Sequence, residues 1–157
     1  MKIQIRQATR SDCPRMLELI RELAEFERAP ESVTVTREHF EESGFGEHPV
    51  WWAYVASISD EISGVRDYIA GFALYYIRYS TWKGQRMYLE DILVTEAYRG
   101  RGLGKLLFEK LIEVARDKKF DAIGWQVLDW NDRAISFYGK YGARYDEGWL
   151  NAWIPLD

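Results

Sequence analysis

The chain has 157 residues, 47% of them hydrophobic and 15% aromatic, which suits one domain with a packed core and excludes a disordered chain. Its formal net charge of -4 argues against a non-specific nucleic-acid binder, which needs a basic surface. A single cysteine, Cys13, excludes an internal disulfide and favours a reducing compartment.

Signals for targeting, membrane insertion and metal binding are missing from the sequence. The first residues alternate like a strand and lack the apolar centre of a signal peptide. No apolar run approaches the ~20 residues that a membrane helix needs. Cys13, His39 and His48 show no metal-ligand spacing. We therefore expect a cytoplasmic protein with no metal, no membrane contact and no nucleic-acid partner.

The N-terminal third predicts one strand and two helices. Lys2 to Gln7 alternates as a strand does. Apolar residues at helical spacing then predict a helix that ends near Glu27. Thr9 and Ser11 are both candidate caps, and Pro14, which fits only an early helical position, favours Ser11. The simplest interpretation of any one of the four acids in this helix segment is a solvated face; they are Glu18, Glu22, Glu25 and Glu27. Thr36 is expected to cap a second, short helix that runs to Glu42.

The middle of the chain predicts a strand meander. Residues 50–58 and 68–79 are rich in Trp, Tyr, Val and Ile, and a polar hairpin loop joins them. Gly71 lies inside the second strand and indicates a bulge or a close approach of backbones. A third strand follows at 87–94 and carries two adjacent acids, Glu90 and Asp91.

A glycine-rich turn follows this third strand, and a helix pattern follows the turn. Gly100, Gly102 and Gly104 lie in the turn, and apolar spacing predicts a helix to about 118–119. A strand, a glycine loop and a helix N-terminus together suit a phosphate, because backbone N–H groups and the helix dipole converge there. The alternative is a simple tight turn.

Two phosphate motifs fail when their spacing is tested. A P-loop requires Gly-Lys-Ser or Gly-Lys-Thr five residues after its first glycine, but Leu106 follows Lys105 and Arg99 occupies the first position. A dinucleotide fingerprint would place its third glycine at Lys105 or Leu107. The pattern that remains is Arg-x-x-Gly-x-Gly, starting at Arg99.

The C-terminal part predicts a strand at 120–128, a helix at 132–141 capped by Asn131, and a β-prone, aromatic tail at 143–156. The whole order is β-α-α-β-β-β-α-β-α-β. A meander followed by a β-α-β crossover gives an α/β (α+β) fold whose central sheet is mixed, mainly antiparallel and flanked by helices. We predict a single domain over residues 1–157.

The glycine loop and the strand order resemble those of the Gcn5-related N-acetyltransferases (GNAT), where such a loop holds the pyrophosphate of an acyl-CoA. Within that superfamily the chain resembles the diamine/polyamine (spermidine/spermine-type) acetyltransferases and their thialysine-acetylating relatives. The segments that carry this likeness span nearly the whole chain: 45–49, 88–91, 98–100, 130–131, 137–138 and 147–149.

The resemblance implies acetyl transfer from acetyl-CoA to a primary amine of a small molecule by direct attack in a ternary complex. It implies that Tyr138 is the general acid. The alternative interpretation is that Tyr138 only packs on the buried face of its helix. It implies that Glu90 is the base that deprotonates the amine, acting through water. By strand alternation we expect Glu90 and Asp91 on opposite faces, so that at least one acid faces inward.

The same resemblance assigns the binding residues. The acyl-CoA residues are Ile92, Leu93, Val94, Arg99, Gly100, Arg101, Gly102, Leu103, Gly104, Lys105, Asn131, Asp132, Arg133 and Ala134. The substrate residues are Phe26, Glu27, Glu90, Gly124, Trp125, Gln126 and Glu147. Without the resemblance, Glu27 and Glu147 would be interpreted as solvated acids and Trp125 as a core residue.

Two departures from the family pattern bear on the substrate. Phe26 stands where polyamine acetyltransferases often have tyrosine, and Ser80 stands where they often have an acid. The missing acid weakens the case for a long polyamine and leaves shorter diamines, thialysine-like amines or an unrelated small amine. Two other functions stay open: a protein lysine or N-terminal acetyltransferase, and a non-catalytic acyl-CoA-binding module. The resemblance also implies a homodimer in which the apolar tail crosses between subunits.

Overall fold

The computed structural model describes residues 1–156 and contains five strands and four α-helices within that range. In chain order they are β1 (Lys2–Gln7), α1 (Cys13–Phe26), α2 (Arg37–Phe45), β2 (Trp52–Asp60), β3 (Val65–Ser80), β4 (Gly84–Val94), α3 (Leu103–Asp117), β5 (Ile123–Gly124) and α4 (Asp132–Gly139). The chain divides into two compact units, Met1–Gln126 and a second that begins at Val127.

The first unit contains the whole sheet. Its strands lie in the order β1-β2-β3-β4-β5; the first four are antiparallel, and β5 runs parallel to β4. Such a sheet is mixed and mainly antiparallel, so the predicted fold class is confirmed. Short turns join β2 to β3 and β3 to β4, and α1 and α2 lie between β1 and β2. The parallel β4–β5 pair needs the crossover that α3 supplies.

Apolar residues of the sheet pack against helices on both faces. On one face, α1 and α2 cover Val55, Phe72 and Leu93 with a cluster that includes Met16 and Trp51. The buried side of α3 packs against β2, β3 and β4 and consists of Leu103, Leu107, Phe108, Leu111, Val114 and Ala115. This stripe comes from the helical spacing seen in the sequence.

Two expectations about backbone detail are confirmed in the first unit. Thr36 caps α2, and its hydroxyl accepts a hydrogen bond from the amide of His39 at 3.1 Å. Beside Gly71 the β2–β3 register shifts, so that Ala70 is an extra residue. A Cβ on Gly71 would lie 2.5 Å from the carbonyl oxygen of Leu93, so the strands also approach closely there.

Other expected boundaries were wrong. Ser11 does not cap α1: a short 3-10 turn, Arg10–Asp12, precedes the helix, and Thr9 and Asp12 cap each other reciprocally. The strand predicted over 120–128 is reduced to Ile123–Gly124. The tail at 143–156 forms no strand within the described residues, because an extended segment counts as a strand only where a neighbour pairs with it.

A half-buried ion cluster ties β1 to the turn before α1 and to β3. Arg6 donates to Asp12 at 2.8 and 3.0 Å and to Asp67 at 3.1 Å. Asp12 also accepts from the amide of Thr9 at 2.8 Å. Burial opposes ionisation of Asp12, but the hydrogen bonds from Arg6 and Thr9 outweigh it, and together they hold the pKa of Asp12 below its usual value.

Replacing Asp12 with asparagine is expected to lower the free energy of unfolding by about 2 kcal/mol at pH 7, because Arg6 loses its buried partner. Since the pKa of Asp12 is lower in the folded than in the unfolded protein, its contribution to the free energy of unfolding is complete above the unfolded pKa of about 3.9. That contribution is lost as pH falls through the folded pKa. Urea unfolding at pH 7 and pH 3 measures this: the difference in unfolding free energy between the two proteins should be smaller at pH 3 than at pH 7. An equal difference at both pH values would contradict the account.

No helix among the described residues is both long and apolar enough to cross a membrane.

Candidate active site

The loop between β4 and α3 is held in shape by its own backbone and by Arg99. After a short 3-10 turn, Glu96–Tyr98, the Arg99 side chain reaches back, and its Nε donates to the carbonyl of Val94 at 2.9 Å. Gly100 and Gly102 then adopt positive φ angles of 76° and 81°, which glycine tolerates without strain. Gly102 is the residue from which α3 starts.

The backbone amides of this loop point to a ligand of negative charge. Within the described residues, none of the amides from Gly100 to Lys105 donates a hydrogen bond, and the first helical bond of α3 runs from the amide of Leu106 to Gly102 at 3.1 Å. A Cβ built on Gly104 would meet no atom within 4 Å. Unpaired amides at a helix N-terminus form an anion site, and the helix dipole adds positive potential.

The strand β4 offers a second set of unpaired backbone groups. Its pairing with β5 is confined to Met87 and Tyr88 in the part of the chain that the structure describes. From Leu89 to Leu93, β3 is the only strand of residues 1–156 that pairs with β4, so the outer edge of β4 has N–H and C=O groups without a strand partner. At Val94 the carbonyl accepts from Arg99 instead. An extended ligand can add to such an edge as a strand would.

A β-bulge in β4 changes the direction of the two acids. Leu74 pairs with Asp91 and Tyr75 pairs with Leu89, so Glu90 is an extra residue between them. Asp91 therefore shares the face of Leu74 and Leu93, which α1 covers, and Glu90 alternates from Leu89 onto that same face. The expectation that Glu90 and Asp91 lie on opposite faces was wrong, because it assumed an unbroken strand.

The acids on this face influence one another. Glu90 is exposed and Asp91 is half-buried. Burial, followed by the charges of Glu90 and Glu27, raises the pKa of Asp91 to about 7. Glu27 is the C-terminal cap of α1, and desolvation raises its pKa as well. The structure thus brings Glu27 together with the two acids of β4 around one patch.

A fourth acid, Glu22, lies on the same helix. Its Oε1 accepts from the hydroxyl of Thr95 at 2.9 Å, and Thr95 is buried just past the end of β4. Its Oε2 is buried and has no hydrogen-bond partner among the described residues. A buried carboxylate oxygen is costly unless a hydrogen-bond donor reaches it. This contact fixes α1 against the end of β4.

The remaining substrate candidates of the first unit lie around β5 and the end of α1. Phe26 is exposed and Gln126 is exposed, whereas Gly124 is half-buried opposite Tyr88. Trp125 packs its ring edge-on against Phe108 of α3, with 5.7 Å between ring centroids. The packing role that sequence alone suggested for Trp125 is therefore present.

Charged residues of the glycine loop take different positions. Arg101 stacks over the ring of Tyr98 at 5.1 Å, and its Nη1 lies 3.6 Å from the sulfur of Met1. Lys105 lies 4.0 Å from Glu109 on the exposed side of α3. Leu103 is buried and anchors the start of the helix, so its contribution to a ligand comes from its backbone.

The second unit is built around α4. Asn131 caps this helix, as the sequence predicted, and its Oδ1 accepts from the amide of Ala134 at 3.2 Å. Asp132 and Arg133 occupy the exposed first turn. Tyr138 follows about two turns after the cap; it is 6% exposed, and its ring lies 5.3 Å from that of Phe137. Glu147 is exposed in the tail.

Sequence reasoning underestimated two residues, Asp91 and Glu22. Asp91 was placed on the face away from Glu90, and Glu22 was counted as part of a solvated acidic face. No local signal marks where the β4 bulge falls. The spacing of Glu22 from the buried Leu19, together with the hydroxyl of Thr95 at the strand end, could have indicated that Glu22 faces inward. Among the described residues no group of three or more His, Cys, Asp or Glu is arranged to hold a metal ion.

Comparisons with known proteins agree with this architecture. The model of the Acetyltransferase (GNAT) family matches residues 14–143. The thialysine N-epsilon-acetyltransferase of Bos taurus is 42% identical over 151 residues, covering 94% of this chain and 89% of that protein. The human spermidine/spermine N(1)-acetyltransferase-like protein 1 is 35% identical over 149 residues, covering 93% of this chain and 21% of that protein.

A solved structure shows the same likeness in three dimensions. A protein from Bacillus halodurans, solved as a point mutant, superposes with a TM-score of 0.72 and 28% identity, covering 98% of this chain and 99% of that chain. The family match includes strands β2 to β5, the glycine loop and α4, and so contains both compact units in part. The chain belongs to the GNAT family of acetyltransferases and is an acetyltransferase.

Proposed function

We propose that the protein transfers the acetyl group of acetyl-CoA to a primary amine of a small molecule, of the diamine, polyamine or thialysine-like class. Direct attack of the amine in a ternary complex is the proposed course. The observation that carries the proposal is an acid patch next to the edge of β4 that has no strand partner. Glu90 and Asp91 of β4 and Glu27 at the end of α1 form this patch. The names of two relatives, for thialysine and spermidine/spermine, support the same class.

The unpaired backbone groups described above fit acetyl-CoA. In the proposal the amides from Gly100 to Lys105, with Arg99 shaping the turn, hold the pyrophosphate, and Ile92 to Val94 pair with the pantetheine arm. The start of α4, from Asn131 to Ala134, makes a further contact. Acetyl-CoA supplies the activated acetyl thioester, and the proposed reaction needs no metal.

The chemistry that remains for the protein concerns protons. An alkylammonium with a pKa near ~10.4 has no lone pair, and freeing one at pH 7 costs about 4–5 kcal/mol. The family resemblance gives removal of that proton to Glu90, acting through water, and we assign donation of a proton to the departing thiolate to Tyr138. Glu27, Glu147, Phe26 and the strand around Gly124 to Gln126 complete the proposed substrate site.

The acids favour a short cationic acceptor. Because Glu27 and Glu90 both raise the pKa of Asp91, the negative charges are concentrated at one place. Ser80, where relatives often have an acid, accepts hydrogen bonds from the amides of Trp82 and Lys83 at 3.2 and 3.1 Å and caps the β3–β4 turn. A long polyamine would therefore lack a remote acid there, which favours diamines and thialysine-like amines.

An acceptor panel tests the proposal. Purified protein and acetyl-CoA would be mixed with short diamines, thialysine, spermidine, spermine, lysine peptides and peptides with free N-termini, and released CoA would be measured. We expect the highest kcat/KM for a short diamine or thialysine. Preference for peptides would instead make the protein a protein acetyltransferase. Acetyl-CoA binding without transfer to any acceptor would make it a non-catalytic acyl-CoA-binding module.

We propose that the active form is a cytoplasmic homodimer and that residues 1–157 act as one domain. The described tail exposes Trp149, Leu150 and Trp153 by 83%, 94% and 81%, and apolar side chains so exposed call for a cover. The family match crosses the boundary between the two compact units, which supports one functional domain. Light scattering should give a dimeric mass that Trp153→Ser reduces to a monomeric one; a monomeric wild type would refute the dimer.

A further inference from the structure

The two acids of β4 differ in their surroundings, although the bulge turns them to the same face. Glu90 is the extra residue of the bulge and is exposed. Asp91 is half-buried, because its strand partner Leu74 is buried and α1 covers this face. The patch therefore has an outer acid that an incoming cation meets first and an inner acid shielded from water.

We propose that Asp91 is the catalytic residue that takes the proton from the acceptor ammonium, and that Glu90 positions the ammonium beside it. The proposal rests on the proposed function, because it needs an amine acceptor, and it refines the assignment of the base to Glu90. Glu27, at the end of α1, adds negative charge on the same side.

Proton transfer from the acceptor to Asp91 begins the proposed reaction. One N–H bond of the ammonium breaks, and an O–H bond forms on a carboxylate oxygen of Asp91. The electron pair left on nitrogen forms the bond to the acetyl carbon, and the bond from that carbon to sulfur breaks. Tyr138 donates its proton to the thiolate, and the second proton lost by the nitrogen returns Tyr138 to its neutral form. Asp91 releases the proton that it took to solvent.

The surroundings of Asp91 suit this role. A carboxylate of ordinary pKa lies about six units below an alkylammonium, which makes it a weak base for this task. Burial and the charges of Glu90 and Glu27 raise the pKa of Asp91 to about 7, which closes the gap to about 3.4 units. General bases work best when their pKa is near the operating pH. Of its other neighbours, β3 presents the apolar Leu74, while Glu22 of α1 lies farther along, bonded to Thr95.

The pH dependence of kcat/KM for the amine separates the two acids. The wild type should lose activity on the acid side with an apparent pKa near 7 that belongs to the coupled pair. Asp91→Asn should lower kcat/KM at least 100-fold and abolish this acid limb. Glu90→Gln should keep the limb but move it to lower pH, because a like charge is removed, with a loss of about tenfold or less. A limb that survives in Asp91→Asn and vanishes in Glu90→Gln would overturn the proposal.

A measurement on the ligand-free protein gives a second, independent readout. The carboxyl carbon of Asp91, followed by NMR against pH, should titrate near 7 in the wild type and lower in Glu90→Gln. A titration near 4 in the wild type would overturn the proposal, even if Asp91→Asn failed to fold. If the wild type transferred acetyl to no amine, the proposed function itself would fail and this role with it; normal wild-type turnover with the wrong pH profile would reject only the role of Asp91.

Discussion

Replacing Tyr138 with phenylalanine is expected to lower kcat by about 10²- to 10⁴-fold while the affinity for acetyl-CoA changes little. The substitution removes one hydroxyl group and keeps the ring, which is buried and contacts Phe137. If the hydroxyl protonates the thiolate, its loss acts on the chemical step and not on binding. Steady-state kinetics and calorimetric titration with acetyl-CoA measure the two effects separately.

Tyr141→Phe is the matched control for this variant. Tyr141 lies three residues later, in the turn after α4, and its ring also contacts Phe137, with centroids 5.6 Å apart. The same chemical change there should leave kcat within about twofold of the wild type, since no proton transfer is assigned to it. Unchanged turnover in Tyr138→Phe, or equal losses in both variants, would remove Tyr138 from the mechanism.

A second large effect is expected at the start of α3. Gly104→Asp should weaken acetyl-CoA binding about 100-fold or more, because a carboxylate there would repel the pyrophosphate; two unit charges 4 Å apart repel by about 4 kcal/mol at an effective dielectric of 20. The fold should not suffer, since a Cβ at this position meets no atom within 4 Å and an acid in the first turn suits the helix dipole. Binding and thermal unfolding would be measured on the same samples.

Gly104→Ala separates charge from size at this position. It removes a glycine from a helix, so stability should rise by up to about 1 kcal/mol, and acetyl-CoA affinity should fall far less than in Gly104→Asp. If Gly104→Asp bound acetyl-CoA as tightly as the wild type, the anion would lie elsewhere. The loop would then be the tight turn that was the alternative interpretation of the glycines.

Local patterns predicted much of the first unit. The bounds of β1 follow from strict alternation, and the cap of α2 follows from one hydroxyl next to a helix start. The buried stripe of α3 follows from apolar spacing. These features depend on residues close together in sequence, which is why a single sequence contains enough information to place them.

Features that depend on pairing between distant segments were harder to predict. The cap of α1 was misplaced because Thr9 and Asp12 form a reciprocal pair that precedes the helix. The strand at β5 was overestimated because β-prone residues become a strand only where a neighbour accepts their hydrogen bonds. The tail at 143–156 is also apolar and aromatic, yet it forms no strand, because it makes no strand pairing with any described residue.

The acid patch shows the same limit at the candidate site. The sequence identified Glu90 and marked Asp91 as its neighbour, but the bulge that turns both acids to one face arises from the register of β4 against β3. A one-residue shift reverses which face a side chain occupies, so the relation between two adjacent acids cannot be derived without that register. The family resemblance identified Glu90 as a candidate base, but it did not predict the bulge that places Asp91 beside it.

The most direct test of the central claim is mass spectrometry of thialysine and of short diamines after incubation with acetyl-CoA and the purified protein. We expect the acceptor to gain one acetyl group on a primary amine, at a rate proportional to protein concentration, with one CoA thiol released for each product molecule. Acetyl-CoA that stays intact with every small amine, in a protein that binds it, would contradict the account.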